Sequence, residues 1–423
     1  MYLFKNSRSE LHYFLSGTFY TALSSIMGLL VPVLLVPYII NKVGLESYGM
    51  SAVAFSVSYF FAMIVDYGFN ITGVNKLAKE TNRNRKRTII INIIYTKILI
   101  FLILLPFCLV IYNYIISNTL DRQVYIMSLA IPLASVLNLS WALQGLHKIK
   151  TWSLITIFGQ IGYIVLVYSF IEKTEDVILV NLFYGAGLFI SGLTSLIYIR
   201  ARYNLILIKV SFDSIKDELK GGYHFFLSNI GNYLSLYFLS PLVGYLISYE
   251  MAGVYSIIEK IYNIARRPFT IYQTFMLPKV SQQVSVSTLS AKNIIRITYI
   301  FVAIFIFFEI IVLFAFQEKI IMYFTDTNLH ILLRMLTFAL LGLFIVIINC
   351  PISLYLIALD RKKELMRMAI LAPVFGLISG SFLIYYFGII GSVFTLILVE
   401  IFYTTYLYVI YKRLNKVTEQ KQL

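Results

Sequence analysis

The sequence predicts an all-α polytopic membrane protein of about twelve transmembrane helices, and three observations carry that prediction. The first is composition. Of 423 residues, 59% are hydrophobic and only 13% are charged, whereas soluble domains run at roughly 45–50% and about 25%. Mean hydropathy is +0.82. A soluble fold could not hide that much apolar surface, so the solvent must be lipid. The second is segmentation. A helix needs about 20 apolar residues to cross the hydrocarbon core. Twelve stretches qualify: 17–40, 49–73, 88–112, 124–145, 152–171, 177–199, 223–247, 252–277, 295–316, 331–358, 365–387 and 389–411. The third is charge placement. With both termini in the cytoplasm, the inner segments collect nearly all the loop Lys and Arg, from Lys5 and Arg8 to Lys416 and Lys421. The outer loops hold only Lys42, Arg122, Lys173 and Lys319, as the positive-inside rule requires.

The same loop pattern accounts for the net charge of +15 and excludes nucleic acid as the partner. Cys108 and Cys350 each lie inside an apolar stretch, with no spacing for a metal or a disulfide. The first span is too long for a signal h-region and is read as a retained helix. The longest inner segment contains Phe212-Asp213-Ser214-Ile215-Lys216-Asp217-Glu218-Leu219, the pattern of an amphipathic surface helix. It falls mid-chain. The expected organisation is therefore a six-helix lobe over 1–205, a linker over 206–222 and a second six-helix lobe over 223–423, around a central cavity. A shift of 204 positions lays Pro37 on Pro241, Glu46 on Glu250 and Gly49 on Gly253, as an internal repeat of transporter halves would.

Charges inside a bilayer cost about 2.5–3.5 kcal/mol each on the insertion scale, so they are functional candidates. Span eight is the richest in them. Ser256, Glu259, Asn263, Arg266, Thr270 and Gln273 recur at steps of three and four, which puts them on one helix face. Lys260 and Arg267 flank that stripe, and Pro268 follows, where a kink is expected. Guanidinium forks bind two phosphate oxygens at once, so Arg266, Arg267 and Lys260 form a candidate anion site lined by Glu259, Asn263, Thr270 and Gln273. The same spacing also admits a buried Glu259–Arg266 bridge with no ligand. Ser228 and Asn232, with Ser235, give span seven a second polar face, which could line the cavity or bond neighbouring helices. Lys97 in span three is a candidate for substrate or counter-ion contact. Asp66 in span two, like Glu259, is a candidate for ion coupling, and Asp66 is equally a candidate for a structural salt bridge. Glu309 and Glu400 stand alone on apolar spans.

Four stretches resemble a known family. They are P-Y-I-I-N-K-V-G-L-E-S-Y-G at 37–49, V-D-Y-G-F-N-I-T-G at 65–73, N-L-S-W-A-L-Q-G-L at 138–146 and A-G-V-Y-S-I-I-E-K-I at 252–261. By these the chain resembles the bacterial oligosaccharide flippases of the multidrug/oligosaccharidyl-lipid/polysaccharide exporter superfamily. The resemblance implies a two-lobed transporter with a central cationic cavity. It implies undecaprenyl-pyrophosphate-linked oligosaccharide as substrate, destined for O-antigen, lipopolysaccharide or capsule. It further implies the bacterial inner membrane, proton or sodium antiport, and a polysaccharide polymerase and chain-length regulator as partners; no cofactor is expected, and a monomer is the expectation because each chain can close its own cavity. One departure stands out: the family pattern would place a basic residue near position 75, but Asn75 stands there and Lys76 follows. The competing readings are a multidrug or toxin exporter of the same superfamily, a peptidoglycan-precursor flippase and, from another class, an integral polysaccharide polymerase. An exporter of cationic drugs would not favour two arginines in mid-span. A polymerase would need a larger outer loop than 113–123 or 317–329 provides.

Overall fold

In the computed structural model, which describes residues 8–116, 118–203, 210–286 and 288–420, all twelve expected spans are helical. No β-strand occurs among the described residues. Lys5, Lys209 and Lys421, and the first residues of the expected linker, lie outside the described residues. The chain divides into two compact units, 1–230 and 231–423.

In the first unit, α1 (Arg8–Val43) runs through Pro32 and Pro37. Span two is two helices, α2 (Leu45–Asp66) and α3 (Phe69–Lys79). The break falls at Tyr67 and Gly68, with φ of 45° and 81°. The left-handed region disfavours most side chains and admits glycine freely. A Cβ at Gly68 would also come within 2.8 Å of the Phe225 Cβ and 3.1 Å of the Phe226 nitrogen. Span three is α4 (Arg83–Ile115), capped by the Asn82 side chain, which accepts from the Asn84 and Arg85 amides. Span four is three short helices, α5 (Thr119–Ser128), α6 (Ala130–Val136) and α7 (Ser140–Gly145). Then come α8 (Ile149–Phe170) and α9 (Val177–Tyr203).

The expected surface helix at 212–219 is not separate. It is the beginning of α10 (Phe212–Tyr237), which crosses the boundary between the units. Its early residues are held by the first unit. Lys76 Nζ donates to Glu218 Oε2 at 2.7 Å, and the Tyr67 ring stacks on Phe226 at 4.4 Å. An apolar core forms where α3, α4, α7 and α9 meet, built on Phe69, Leu77, Ile90, Leu143 and Trp141.

The second unit continues with α11 (Leu239–Leu246), α12 (Tyr249–Val286), α13 (Thr288–Phe324), α14 (Leu329–Ala358), α15 (Lys362–Phe387) and α16 (Ile389–Gln420). The hairpin between the last two spans is a single residue, Gly388 at φ +59°, a conformation that glycine takes without strain. The 204-residue shift that aligns Glu46 with Glu250 also aligns the first residue of α2 with the first of α12. The helix α12 does not break at Pro268. Among the described residues, ten of the helical spans are long and apolar enough to cross a membrane. The other two expected spans, α10–α11 and α12, carry more polar side chains. Outward positions on α13 such as Ile304, Phe307 and Phe308 are more than 60% exposed, which suits contact with lipid tails. Helix association in lipid rests on packing and interhelical hydrogen bonds rather than on apolar burial.

Candidate functional site

The polar face of α12 changes character along its length. Ser256 and Glu259 are buried, Asn263, Arg266 and Gln273 are half-buried, and Arg267 and Thr270 are exposed. At the buried end, Lys260 Nζ donates to Ser256 Oγ at 2.7 Å. Glu259 has a carboxyl oxygen, Oε1, that is enclosed and lacks a hydrogen-bond partner among the described residues.

Arg266 is paired, and the partner differs from the Glu259 that sequence spacing offers. Its Nη1 donates to Glu400 Oε1 on α16, and Asn349 Nδ2 on α14 donates to the other oxygen, Glu400 Oε2, at 2.9 Å. Glu400 therefore does not stand alone; it joins three helices. The guanidinium also lies 5.6 Å from the Tyr262 ring centroid, within cation–π range. Helix α12 is tied again one turn beyond Thr270. Gln273 Nε2 donates to the Cys350 carbonyl at 3.0 Å and to Ser353 Oγ at 2.7 Å. That leaves Arg267 as the exposed arginine, with no ion pair among the described residues.

Lys97 and Asp66 belong to the first unit and meet each other. Lys97 is wholly buried, and its ammonium donates to Asp66 Oδ1 at 2.5 Å and to the Ser135 and Asn138 carbonyls at 3.1 and 3.3 Å. The Asn138 carbonyl belongs to the break between α6 and α7, where the helix ladder leaves acceptors unmet; the Ser135 carbonyl, in the last turn of α6, also accepts from the Asn138 amide at 3.2 Å. An ammonium has three protons, and three acceptors take them. Asn138 Oδ1 accepts from the Ser140 amide at 3.1 Å and starts α7. Trp141 then packs on Gly73 so closely that a Cβ at Gly73 would overlap its ring. The stretches at 65–73 and 138–146 thus build one buttress around two helix breaks. Lys76, next to the anomalous Asn75, is held by Glu218.

The side chains of Ser228 and Asn232, like that of Ser235, lie outside the described residues. Glu309 on α13 has one enclosed oxygen without a hydrogen-bond partner among the described residues. Sequence reasoning missed Asn349, which sits in an apolar run, and could not link Glu400 to Arg266. A lone acid within an apolar span was the available signal, since such a charge needs a partner.

A family profile described as polysaccharide biosynthesis protein matches residues 14–284. A relative from Shigella dysenteriae is 22% identical over 389 residues, covering 88% of this chain and 93% of its own length. One from Escherichia coli K12 is 25% identical over 210 residues, covering 49% of this chain and half of its own length. Both bear the name "Putative O-antigen transporter". Among solved structures, the lipid II flippase MurJ in an inward closed conformation aligns with a TM-score of 0.74 at 16% identity, over 94% of this chain and 87% of that one. An inward-facing multidrug transporter of the MATE family, within the MOP superfamily, aligns at 0.70 and 15% identity, over 93% and 96%. At these identities the structural likeness establishes the fold, that of MOP-superfamily transporters.

Proposed function

The chain belongs to the polysaccharide biosynthesis protein family, and from that premise we propose that it flips undecaprenyl-pyrophosphate-linked oligosaccharide units from the cytoplasmic to the outer leaflet of the bacterial inner membrane. The names of its O-antigen transporter relatives and the lipid-flipping fold neighbour support this reading. The observation that carries it is on α12. Arg267 is exposed on α12, the helix of the eighth expected span, beside an Arg266 fixed by Glu400. A mid-membrane guanidinium with no acid partner is tolerated only where it faces water or an anion.

In this mechanism Arg267 takes the pyrophosphate oxygens through its fork of donors. Arg266 keeps the donors that Glu400 does not use and adds field strength. Lys260 is the third cation of the set. Asn263 and Thr270 offer hydrogen bonds to sugar hydroxyls while the polyprenyl tail stays in lipid. Transport exposes this face to each side of the membrane in turn. Glu259 is the coupling group: a carboxyl with an unpartnered enclosed oxygen is the natural carrier of an exchangeable proton. Asp66 is less suited, because Lys97 already neutralises it. Lys97 in turn has no donor left for substrate.

The test is deletion of the gene and rescue with wild type or Arg267→Ala at matched membrane levels. Lipid-linked units should be trapped in the cytoplasmic leaflet in the deletion strain and the variant, and released by wild type. Units that reach the outer face but stay unpolymerised would make the protein a polymerase. An unchanged polysaccharide with altered drug sensitivity would make it an exporter.

A further inference from the structure

We propose that the first unit carries a headgroup site for an anionic glycerophospholipid of the surrounding bilayer, where the start of α4 meets the end of α9. This inference does not depend on the transport reading. An open pocket of about 590 Å³ lies there, lined by Arg83, Tyr198, Ala201, Arg202 and Tyr203. None of these residues belongs to the α12 face.

Three features fit a lipid phosphate. The first is uncompensated positive charge. Arg83 and Arg202 are both exposed, and among the described residues neither has a carboxylate partner. The second is preorganisation. Arg83 Nη2 donates to the Arg202 carbonyl at 2.5 Å, in the last turn of α9. Its guanidinium carbon lies 6.0 Å from the Tyr203 ring centroid. The side chain is therefore held in place while other donors of its fork remain uncommitted. A planar fork of this kind matches phosphate oxygens.

The third feature is position. Leu193 and Ile197 are 41% and 60% exposed on α9, and Ala201 continues their face at the same four-residue step. An apolar stripe facing lipid thus leads straight into a pocket of two arginines and two tyrosines. Tyrosine favours the headgroup level of a membrane, and basic pockets at helix ends hold anionic headgroups. Acyl chains would lie along Leu193 and Ile197, with the phosphate between Arg83 and Arg202.

The test uses the full-length protein in a neutral detergent and in phosphatidylcholine nanodiscs, titrated with phosphatidylglycerol. Native mass spectrometry and thermal shift read the retained lipid. Wild type should retain phosphatidylglycerol in preference to phosphatidylcholine. Arg83→Gln/Arg202→Gln should weaken that retention about tenfold or more, the loss of a charge-assisted hydrogen bond to the phosphate. Arg85→Gln/Arg200→Gln removes the same charge from exposed positions at the same helix ends, outside the pocket, and should leave retention unchanged. Arg83→Lys/Arg202→Lys should fall between. Equal losses in the two glutamine pairs would reduce the effect to bulk electrostatics and overturn the site. So would the absence of a preference in wild type. Displacement of phosphatidylglycerol by trace farnesyl pyrophosphate would reassign the pocket to a diphosphate carrier and overturn it as a bilayer-lipid site.

Discussion

Arg266 on α12 donates to Glu400 on α16, and Asn349 on α14 holds the second carboxylate oxygen of the same acid. The pair joins positions 134 residues apart in sequence. Removing one member leaves the other charge unmatched in a place lipid cannot solvate. Breaking a buried pair costs about 3–5 kcal/mol, and the one-third exposure of Arg266 lowers the expectation to about 1–3 kcal/mol. Glu400→Gln and Arg266→Met should each lower the apparent Tm in detergent, and Arg266→Met/Glu400→Met should recover part of the loss. A strictly additive double variant would show that the two residues are not coupled.

Arg267→Ala should behave in the opposite way. The side chain is exposed and makes no ion pair among the described residues, so stability should stay within about 0.5 kcal/mol of wild type. Loss of a charge-assisted contact to phosphate, worth about 1.5–3 kcal/mol, should cut substrate release by roughly tenfold or more. Lipid-linked units per cell, normalised to protein level, are the readout; normal release would remove Arg267 from the site.

Lys97→Met should be the most disruptive of the charge removals. It leaves Asp66 unpaired and strips a donor from the Ser135 and Asn138 carbonyls, a loss of about 3–5 kcal/mol. Lys97→Met/Asp66→Asn removes the uncompensated charge and should restore expression and most transport. A well-folded double variant that cannot transport would assign Lys97 a role at the substrate instead.

Gly73→Ala should destabilise the first unit, because its new methyl would overlap the Trp141 ring. Overpacking of this kind costs about 1–3 kcal/mol. Trp141→Leu makes room, so Gly73→Ala/Trp141→Leu should be more stable than the sum of the single effects. Urea or thermal unfolding in detergent measures the four proteins of the cycle.

Glu259→Gln keeps the shape of the side chain and cannot carry a proton. If Glu259 couples transport to a proton gradient, flipping in proteoliposomes should become insensitive to an imposed pH difference while binding of the pyrophosphate carrier persists. An unaltered gradient dependence would move the coupling elsewhere, with Glu309 the next carboxyl to replace, since it too has an enclosed oxygen without a partner.

The spans were legible in sequence because the bilayer imposes a length and a hydrophobicity on each helix independently of its neighbours. All twelve stretches are helical, down to the one-residue hairpin at Gly388. The stripe on α12 was legible because 3.6-residue periodicity alone places Glu259 and Arg266 on one face. Other features were not. That Tyr67 and Gly68 end a helix depends on Phe225 and Phe226 packing against them. That span four breaks at Leu137–Leu139 depends on a lysine forty residues earlier, which meets the carbonyls the break exposes. The surface helix at 212–219 is part of α10 because the chain stays helical through Lys220, Gly221 and Gly222 up to Tyr237.

The sequence by itself determined the solvent, the position of the twelve helical stretches, the family motifs and the short list of buried charges. Only the tertiary structure decided which charges cancel. Lys97 with Asp66 joins consecutive spans, and Arg266 with Glu400 joins helices 134 residues apart. A charge in hydrocarbon must find a counter-charge, and sequence states that need without naming the partner. Folding settles the pairing, and by using up Lys97 and engaging Arg266 it leaves Arg267 as the exposed cation of the α12 face.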